Sequence, residues 1–293
     1  MHILLLGKYG QLGWELQRTL APLGDILALD FPQIDLEQVD SLRELIHNIR
    51  PQVIFNATAY TAVDRAESEM EIAQAINSHA PRVMAEEAKK IGAAIIHYST
   101  DYVFDGKKGG DYLEQDPPNP LNMYGESKLE GERAIQDVGE SYLILRTSWV
   151  YSVRRESFVT RVLEWSRKQT DLRIVSDQVS NPTWCRMLAE VTAQLLAMAG
   201  RDVAGWLDER RGIYHLSGSG RASRFEWAQA ILEMDTRREE QIVQEVQPAL
   251  TSEFPTPAIR PLHSALNCDH FTDTFGLTLP NWREALKLAM EAG

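Results

Sequence analysis

Cysteine is nearly absent. Only Cys185 and Cys268 occur in 293 residues, and they lack a C-x-x-C spacing. No disulfide framework follows from such a pair, and each reads as a plain structural residue. Positive charge is also scarce: 30 Lys and Arg stand against 42 Asp and Glu, for a formal net charge of −12. That balance disfavours a nucleic-acid or anionic-membrane surface, while leaving room for a local basic pocket. Long apolar runs are missing. The stretch His2–Leu6 is too short to span a membrane. No basic segment followed by a long apolar one opens the chain, so no secretory signal is expected and the expected location is cytoplasmic. No internal repeat or low-complexity tract is visible. The length allows one large domain or two modest ones with ample core.

What is present begins at once. His2–Leu6 suits a buried parallel strand, and Gly7-Lys8-Tyr9-Gly10-Gln11-Leu12-Gly13 follows it. Gly7 permits a tight turn, Gly10 admits a pyrophosphate against backbone, and Gly13 lets the next helix, about Gln11–Leu20, pack close to the strand. The N-terminus of that helix offers free N–H groups and a positive dipole end to phosphate. A second strand, Ile26–Leu29, ends in Asp30, an acid about 20 residues downstream and suited to a ribose hydroxyl. The bland alternative is that three glycines only make a turn. Asp30 and the βα alternation that follows favour a dinucleotide site.

Further strands are expected at Val53–Phe55, Ala94–Tyr98 and Tyr142–Arg146. A helical stretch over about Glu69–Ile91, broken near Asn77-Ser78, and a helix from Tyr124 to about Asp137 alternate with them. Repeated βα units with apolar strands predict a Rossmann-type, doubly wound parallel sheet, with ligands beyond the carboxyl ends of its strands. After Trp149 the pattern loosens. Helices near Glu156–Lys168, Cys185–Met198 and Arg224–Glu233, and short strands at Arg173–Val175 and Ile213–Leu216, read as a smaller substrate-binding part. The expected division is residues 1–150 for the dinucleotide and 151–293 mainly for substrate, with about 177–217 returning to the first unit.

Tyr124 and Lys128, at i and i+4, share one helix face behind the strand end Ser99-Thr100. A free phenol, with a pKa near ~10, is a poor acid or base at neutral pH. An ammonium about 4 Å away in an effective dielectric near ~20 is worth about 4 kcal/mol, or roughly three pK units at most. Such a shift brings the phenol toward proton exchange with a carbonyl oxygen. Thr100 is placed to bond the same oxygen, and Lys128 to hold a nicotinamide ribose. The alternative is an exposed Tyr–Lys pair on a surface helix.

The glycine motif, Ser99–Gly106 and the Tyr124/Lys128 pair resemble the extended short-chain dehydrogenase/reductase superfamily. Asn56–Asp64, Pro120–Gly125, Arg146–Tyr151 and Pro255–Pro261 are, more narrowly, similar to the dTDP-4-dehydrorhamnose reductase family, over essentially the whole chain. The resemblance implies reduction of the C4 ketone of dTDP-4-dehydro-6-deoxy-L-mannose to dTDP-L-rhamnose with NADPH or NADH, in supply of rhamnose for cell-surface polysaccharide. It implies Tyr124 as proton donor, Lys128 as its activator and ribose ligand, and Thr100 as the group orienting the carbonyl. Gly7, Gly10, Gln11, Leu12 and Gly13 would lie along the pyrophosphate. Asp30 would hold the adenosine ribose, and Asp35 and Leu36 would flank the adenine. Ala59, Tyr60, Thr61 and Tyr98 would line the cofactor elsewhere. Asp101 and Trp149 would touch the sugar nucleotide, and Arg260 its diphosphate, since a guanidinium suits phosphate. Trp149 has core packing as its alternative and Arg260 a surface ion pair.

Some relatives hold a divalent metal between subunits through glutamates. Glu15 matches one such position, but Arg186 and Arg283 stand where others are sought, so no metal is expected. The implied partner is a small nucleotide sugar, with no nucleic acid and no membrane, and the chain is read as a monomer or homodimer. Three other readings compete. A dehydratase would want an acidic pair after Thr100, where Asp101-Tyr102 supplies one carboxylate. A 4-epimerase would share the Tyr/Lys chemistry around a tightly held NAD. A regulatory subunit that binds a dinucleotide would need no catalytic pair. Asp30 favours NADH by repelling a 2′-phosphate, and Lys8 partly offsets that repulsion.

Overall fold

The computed structural model describes residues 1–291. Five strands alternate with helices over the first half: β1 (His2–Leu6), β2 (Asp25–Leu29), β3 (Val53–Asn56), β4 (Ala94–Thr100) and β5 (Tyr142–Thr147). With the strand Gly212–His215 they form a six-stranded sheet in the order β2-β1-β3-β4-β5-Gly212–His215. Every pairing in it is parallel. Parallel strands need crossover connections, and those crossovers cover both faces of the sheet. The strands accordingly read as nearly unbroken apolar runs. β2 lies on one side of β1 and β3 on the other, so the strand order reverses there and opens a crevice at their carboxyl ends.

Side chains alternate between two cores. Ile3, Leu5, Phe55, Ile96 and Leu145 pack with Leu12 and Leu16 of α1 (Gln11–Thr19), and with Leu188 and Leu195 of the helix Cys185–Ala199. Leu4, Leu6, Ile54, Ile95 and Ile144 face the opposite side, against Leu42 and Ile46 of α2 (Val39–Ile49), Val83 and Met84 of the helix Ala80–Ile91, and Ile135. Each fully buried aliphatic or Phe side chain contributes roughly 1.5–3 kcal/mol. Residues 185–216 thus return to the sheet after the chain has left it, and Phe271 and Phe275 join the same core.

A separate core forms around Trp227. The helices Phe158–Ser166, Arg224–Glu233 and Trp282–Glu291 enclose it, and the strand Asp171–Val175 pairs in parallel with Glu245–Ala249. Two of these helices start on a capping box, Ser157 with Thr160 and Ser223 with Glu226. No helix among the described residues is long and apolar enough to cross a membrane.

Three differences from the sequence expectations have physical reasons. Helix α2 and the strand Glu245–Ala249 were not expected. The first begins without a side-chain cap, and the second carries Pro248. The stretch 69–91 is helical as Met70–Gln74 and Ala80–Ile91, joined by a π-helical turn over Ala75–His79. That wider turn directs Asn77 inward. Its Oδ1 accepts from Tyr60 N at 2.9 Å, and its Nδ2 donates to Ser127 Oγ at 3.0 Å.

One buried ion pair ties the helix Met123–Val138 to β5. Glu132 receives Arg146 Nε at 2.9 Å and Nη2 at 2.6 Å, with both side chains essentially inaccessible. Removing one partner leaves an uncompensated buried charge. Glu132→Ala should therefore lower unfolding free energy by about 3–5 kcal/mol, read from urea denaturation curves.

Candidate active site

The glycine loop forms one wall of a cavity of about 630 Å³. Gly7 turns the chain out of β1, and its N–H donates to Leu29 O at 2.9 Å. A Cβ on Gly13 would fall 1.9 Å from Gly7 O, so only glycine lets α1 approach β1 this closely. Helix α1 starts after Gly10 with no side-chain cap and no acidic residue in its first turn. Its first N–H groups therefore remain available at the positive end of the helix dipole. Asp30 closes the end of β2. Its Oδ2 accepts from Tyr9 N and its Oδ1 from Phe31 N, both at 2.8 Å, which fixes the carboxylate at the rim.

Opposite this wall stand the end of β4 and the helix Met123–Val138. Asn122 starts that helix: its Oδ1 accepts from Gly125 N at 2.9 Å while its Nδ2 donates to Ile259 O at 2.8 Å. A Cβ on Gly125 would lie 2.2 Å from Tyr102 O, so the residue after Tyr124 must be glycine for the helix to close on this loop. Tyr124, Lys128, Ser99, Thr100 and Asp101 all line the cavity. Burial raises the Tyr124 phenol well above its usual pKa, and a hydrogen bond with Thr100 only partly opposes this. The phenol is thus held in its protonated, donor form. Lys128 does not lower it as the spacing suggested. Lys128 Nζ donates to Tyr98 O at 2.7 Å and stands 3.2 Å from His97 Nε2. Burial brings its own pKa down to about 8, with Glu132 opposing.

Asp101 is fully enclosed. Its Oδ2 receives the hydroxyls of Ser180, at 3.0 Å, and Ser264, and its Oδ1 that of Thr100 at 3.2 Å. Burial pushes it up to about 6, against the lowering effect of the three hydroxyls. The carboxylate therefore staples the end of β4 to two distant segments.

Two smaller cavities continue from the first. One, of about 390 Å³, shares Trp149, Val150 and Glu156 with it and adds Phe158, Trp165 and Arg224. The next, of about 480 Å³, shares Phe158, Trp165 and Arg224 and extends to Phe254 and Arg260. Trp149 stacks on Trp227 at 5.6 Å, and the Arg224 guanidinium lies 3.6 Å from the Trp149 ring centroid. Burial lowers Arg224 to about 10, with Tyr102 and Asp101 opposing. No carboxylate pairs with Arg224 among the described residues, whereas Arg260 is held in a two-pronged ion pair by Asp64, at 3.0 and 2.8 Å.

Of the residues expected at the site, Gly7, Gly10, Gln11, Leu12, Asp30, Ala59, Thr61, Tyr98, Thr100, Asp101, Tyr124, Lys128 and Trp149 line the main cavity. Gly13, Asp35, Leu36, Tyr60 and Arg260 do not line it. Leu36 is core beside Leu42, Asp35 Oδ1 accepts from Glu37 N, and Tyr60 turns its hydroxyl to Glu69. Tyr98 carries its own hydroxyl into the core, onto Thr192 Oγ1 at 2.9 Å. Arg224, His97, Asn56 and Ser264 were not singled out from sequence. A polar residue inside an apolar strand, such as His97 between Ile96 and Tyr98, was the available signal. Among the described residues no group of three or more His, Cys, Asp or Glu side chains is arranged to hold a metal ion. Glu15 instead has Arg186, Arg18 and Arg154 nearby, and burial raises its pKa.

The raised pKa of Asp101 has a sign that can be tested. The folded protein holds this proton more tightly than the unfolded chain, so the associated stability is complete below about pH 4 and is lost as pH rises through about 6. Across that window the parent protein should lose up to about 3 kcal/mol, and Asp101→Asn should not. Denaturation curves at a series of pH values read the difference.

The family described as RmlD substrate binding domain matches residues 1–293. A dTDP-4-dehydrorhamnose reductase of Escherichia coli K12 is 41% identical over 98% of this chain and 96% of its own length. One from Burkholderia thailandensis is 40% identical over 99% and 98%. The crystal structure of the Bacillus anthracis dTDP-4-dehydrorhamnose reductase in complex with NADP superposes with a TM-score of 0.90, at 31% identity over 100% of this chain and 99% of that one. The doubly wound sheet, the glycine loop facing Tyr124 and Lys128, and likeness over the full length agree: this chain belongs to the RmlD substrate binding domain family, that of the dTDP-4-dehydrorhamnose reductases.

Proposed function

We propose that this protein reduces the C4 ketone of dTDP-4-dehydro-6-deoxy-L-mannose to dTDP-L-rhamnose, using NADPH or NADH. The observation that carries the reading is a protonated, partly buried Tyr124 facing a glycine loop across one cavity. The residues present fit a dinucleotide. The uncapped N-terminus of α1 suits a diphosphate, Gly10 leaves backbone accessible, and Asp30 stands at the rim for a ribose hydroxyl. The Bacillus anthracis relative carries NADP in its crystal structure. Lys8 beside the loop offsets the repulsion of a 2′-phosphate by Asp30, so both nicotinamide cofactors are accepted.

The bound dinucleotide supplies the hydride; the chain supplies position and a proton. Thr100 and Tyr124 converge on the ketone oxygen, and the phenol delivers its proton there as charge develops. A phenol whose pKa burial has raised remains protonated until that moment. Lys128, held by Tyr98 O and beside His97, is placed to hold the nicotinamide ribose. The sugar lies between Tyr124 and Trp149. Arg224, free of any carboxylate partner among the described residues, receives the diphosphate, and Phe158, Trp165 and Phe254 border the base. Arg260, already neutralised by Asp64, supports that wall.

Incubating the protein with dTDP-4-dehydro-6-deoxy-L-mannose and either cofactor, and following nicotinamide absorbance, tests the reading. Absence of turnover with both would refute it. Tyr124→Phe should lower kcat by about 10²–10⁴-fold while dinucleotide affinity persists. Arg224→Met should raise KM for the nucleotide sugar about ten- to a hundredfold, the effect of losing a charged hydrogen bond worth about 1.5–3 kcal/mol, with kcat changed by less than about threefold. Steady-state kinetics separate the two patterns.

A further inference from the structure

Asn56, His97 and Lys128 offer too few acceptors for all their buried contacts to be satisfied with a charged lysine. Asn56 Oδ1, at the end of β3, accepts from Thr58 N at 3.1 Å and from the Thr58 hydroxyl. A backbone N–H only donates, so the oxygen belongs on that side, and Nδ2 faces His97 Nδ1 at 2.9 Å. Nδ1 is then the acceptor and the imidazole proton sits on Nε2, which stands 3.2 Å from Lys128 Nζ. An Nε2–H aimed at an ammonium is a donor facing a donor. Full protonation of the ring gives no way out, because burial and the neighbouring Lys128 hold His97 well below its usual pKa.

Two arrangements remain. In the first, Lys128 is an amine: its lone pair receives Nε2–H, and it still donates to Tyr98 O at 2.7 Å. In the second, Lys128 is an ammonium that donates to Nε2. The ring proton moves to Nδ1, and Asn56 turns its oxygen to meet it. The Thr58 N–H then loses its acceptor. Thr58 belongs to the loop Ala57–Thr61, of which Ala57, Thr58, Ala59 and Thr61 line the main cavity.

We propose that His97 is a positioning residue that couples the charge of Lys128 to the backbone of the Ala57–Thr61 loop, through the tautomer of its ring and the orientation of Asn56. The proposal rests on the reductase reading only in taking the loop and Lys128 to face one ligand. Few other charges bear on Lys128. On its own helix, Glu132 is taken up by Arg146 of β5, and Tyr124 is neutral. At the end of β4, Asp101 is enclosed by hydroxyls. From the π-helical turn, Asn77 meets the helix at Ser127 and is uncharged. With burial bringing Lys128 to about 8, the exchange falls within an accessible pH range.

The test begins on the ligand-free protein, with nitrogen NMR of the His97 ring from about pH 6 to about 9.5. The expected result is Nδ1–H at the low end and Nε2–H at the high end, exchanging near the titration of Lys128. In Asn56→Asp the carboxylate accepts from Thr58 and from Nδ1–H together, so Nδ1–H should persist throughout. Binding that requires the ammonium is complete below the free-state pKa and weakens as pH rises. NADPH affinity, read by its fluorescence, should fall about thirtyfold between about pH 7 and about 9.5 in the parent, and by less in Asn56→Asp, whose added carboxylate keeps Lys128 charged to higher pH. A single tautomer across the whole range in the parent would overturn the proposal, as would tautomer exchange in Asn56→Asp like that of the parent. Failure to bind NADPH or NADH at any pH would count against the reductase reading and leave the tautomer result to decide this one.

Discussion

The position of the helix Met123–Val138 rests on the enclosed Glu132–Arg146 pair. Two directional bonds between charged groups, shut away from water, leave that helix little freedom to slide or rotate over β5. Lys128 lies one turn earlier on the same stripe, and Tyr124 one turn before that. An anchor at one end of the stripe therefore sets the depth at which the other two side chains meet β4. Lys128 reaches Tyr98 O as a result, and the phenol of Tyr124 ends beside Thr100. Burial that would be costly for an isolated lysine is tolerable here because Tyr98 O of β4 receives one of its protons.

Segments far apart in the chain hold one another in place around this helix. Asp64 clamps Arg260, Asn122 bonds Ile259 O, Glu67 accepts from Met123 N, and Asp101 gathers Ser180 and Ser264. The stretches Asn56–Asp64, Pro120–Gly125 and Pro255–Pro261 that stand out in the sequence thus spend many of their polar atoms on each other. Their distinctiveness reflects mutual support of the cavity walls as much as contact with ligand.

The parts legible in the sequence were those set by local rules. The glycine spacing, the apolar strands and the i, i+4 pair each encode their own geometry within a few residues, and the structure places them around one cavity. Asp35, Leu36 and Tyr60 show where local reading runs out. A motif locates a loop, but the face on which each side chain emerges depends on packing, and these three turn to core or to neighbouring polar groups. Arg224 and Arg260 differ by one distant event, the arrival of Asp64 beside only one of them, which no spacing reveals. The electrostatics of Tyr124 failed for the same reason. Spacing put an ammonium on its face of the helix but did not show that β4 would claim that ammonium first.

The π-helical turn at Ala75–His79 gives Asn77 two clients, Tyr60 in the loop after β3 and Ser127 in the Tyr124 helix. Both belong to segments that wall the main cavity, and a single amide spans them. Those two walls therefore move as one piece and act as a fixed jaw. The facing segments around Trp149 and Arg224 take no part in these bonds. The helix that carries Tyr124 and Lys128 is thereby held in register with the loop after β3 by a residue that does not itself line the cavity.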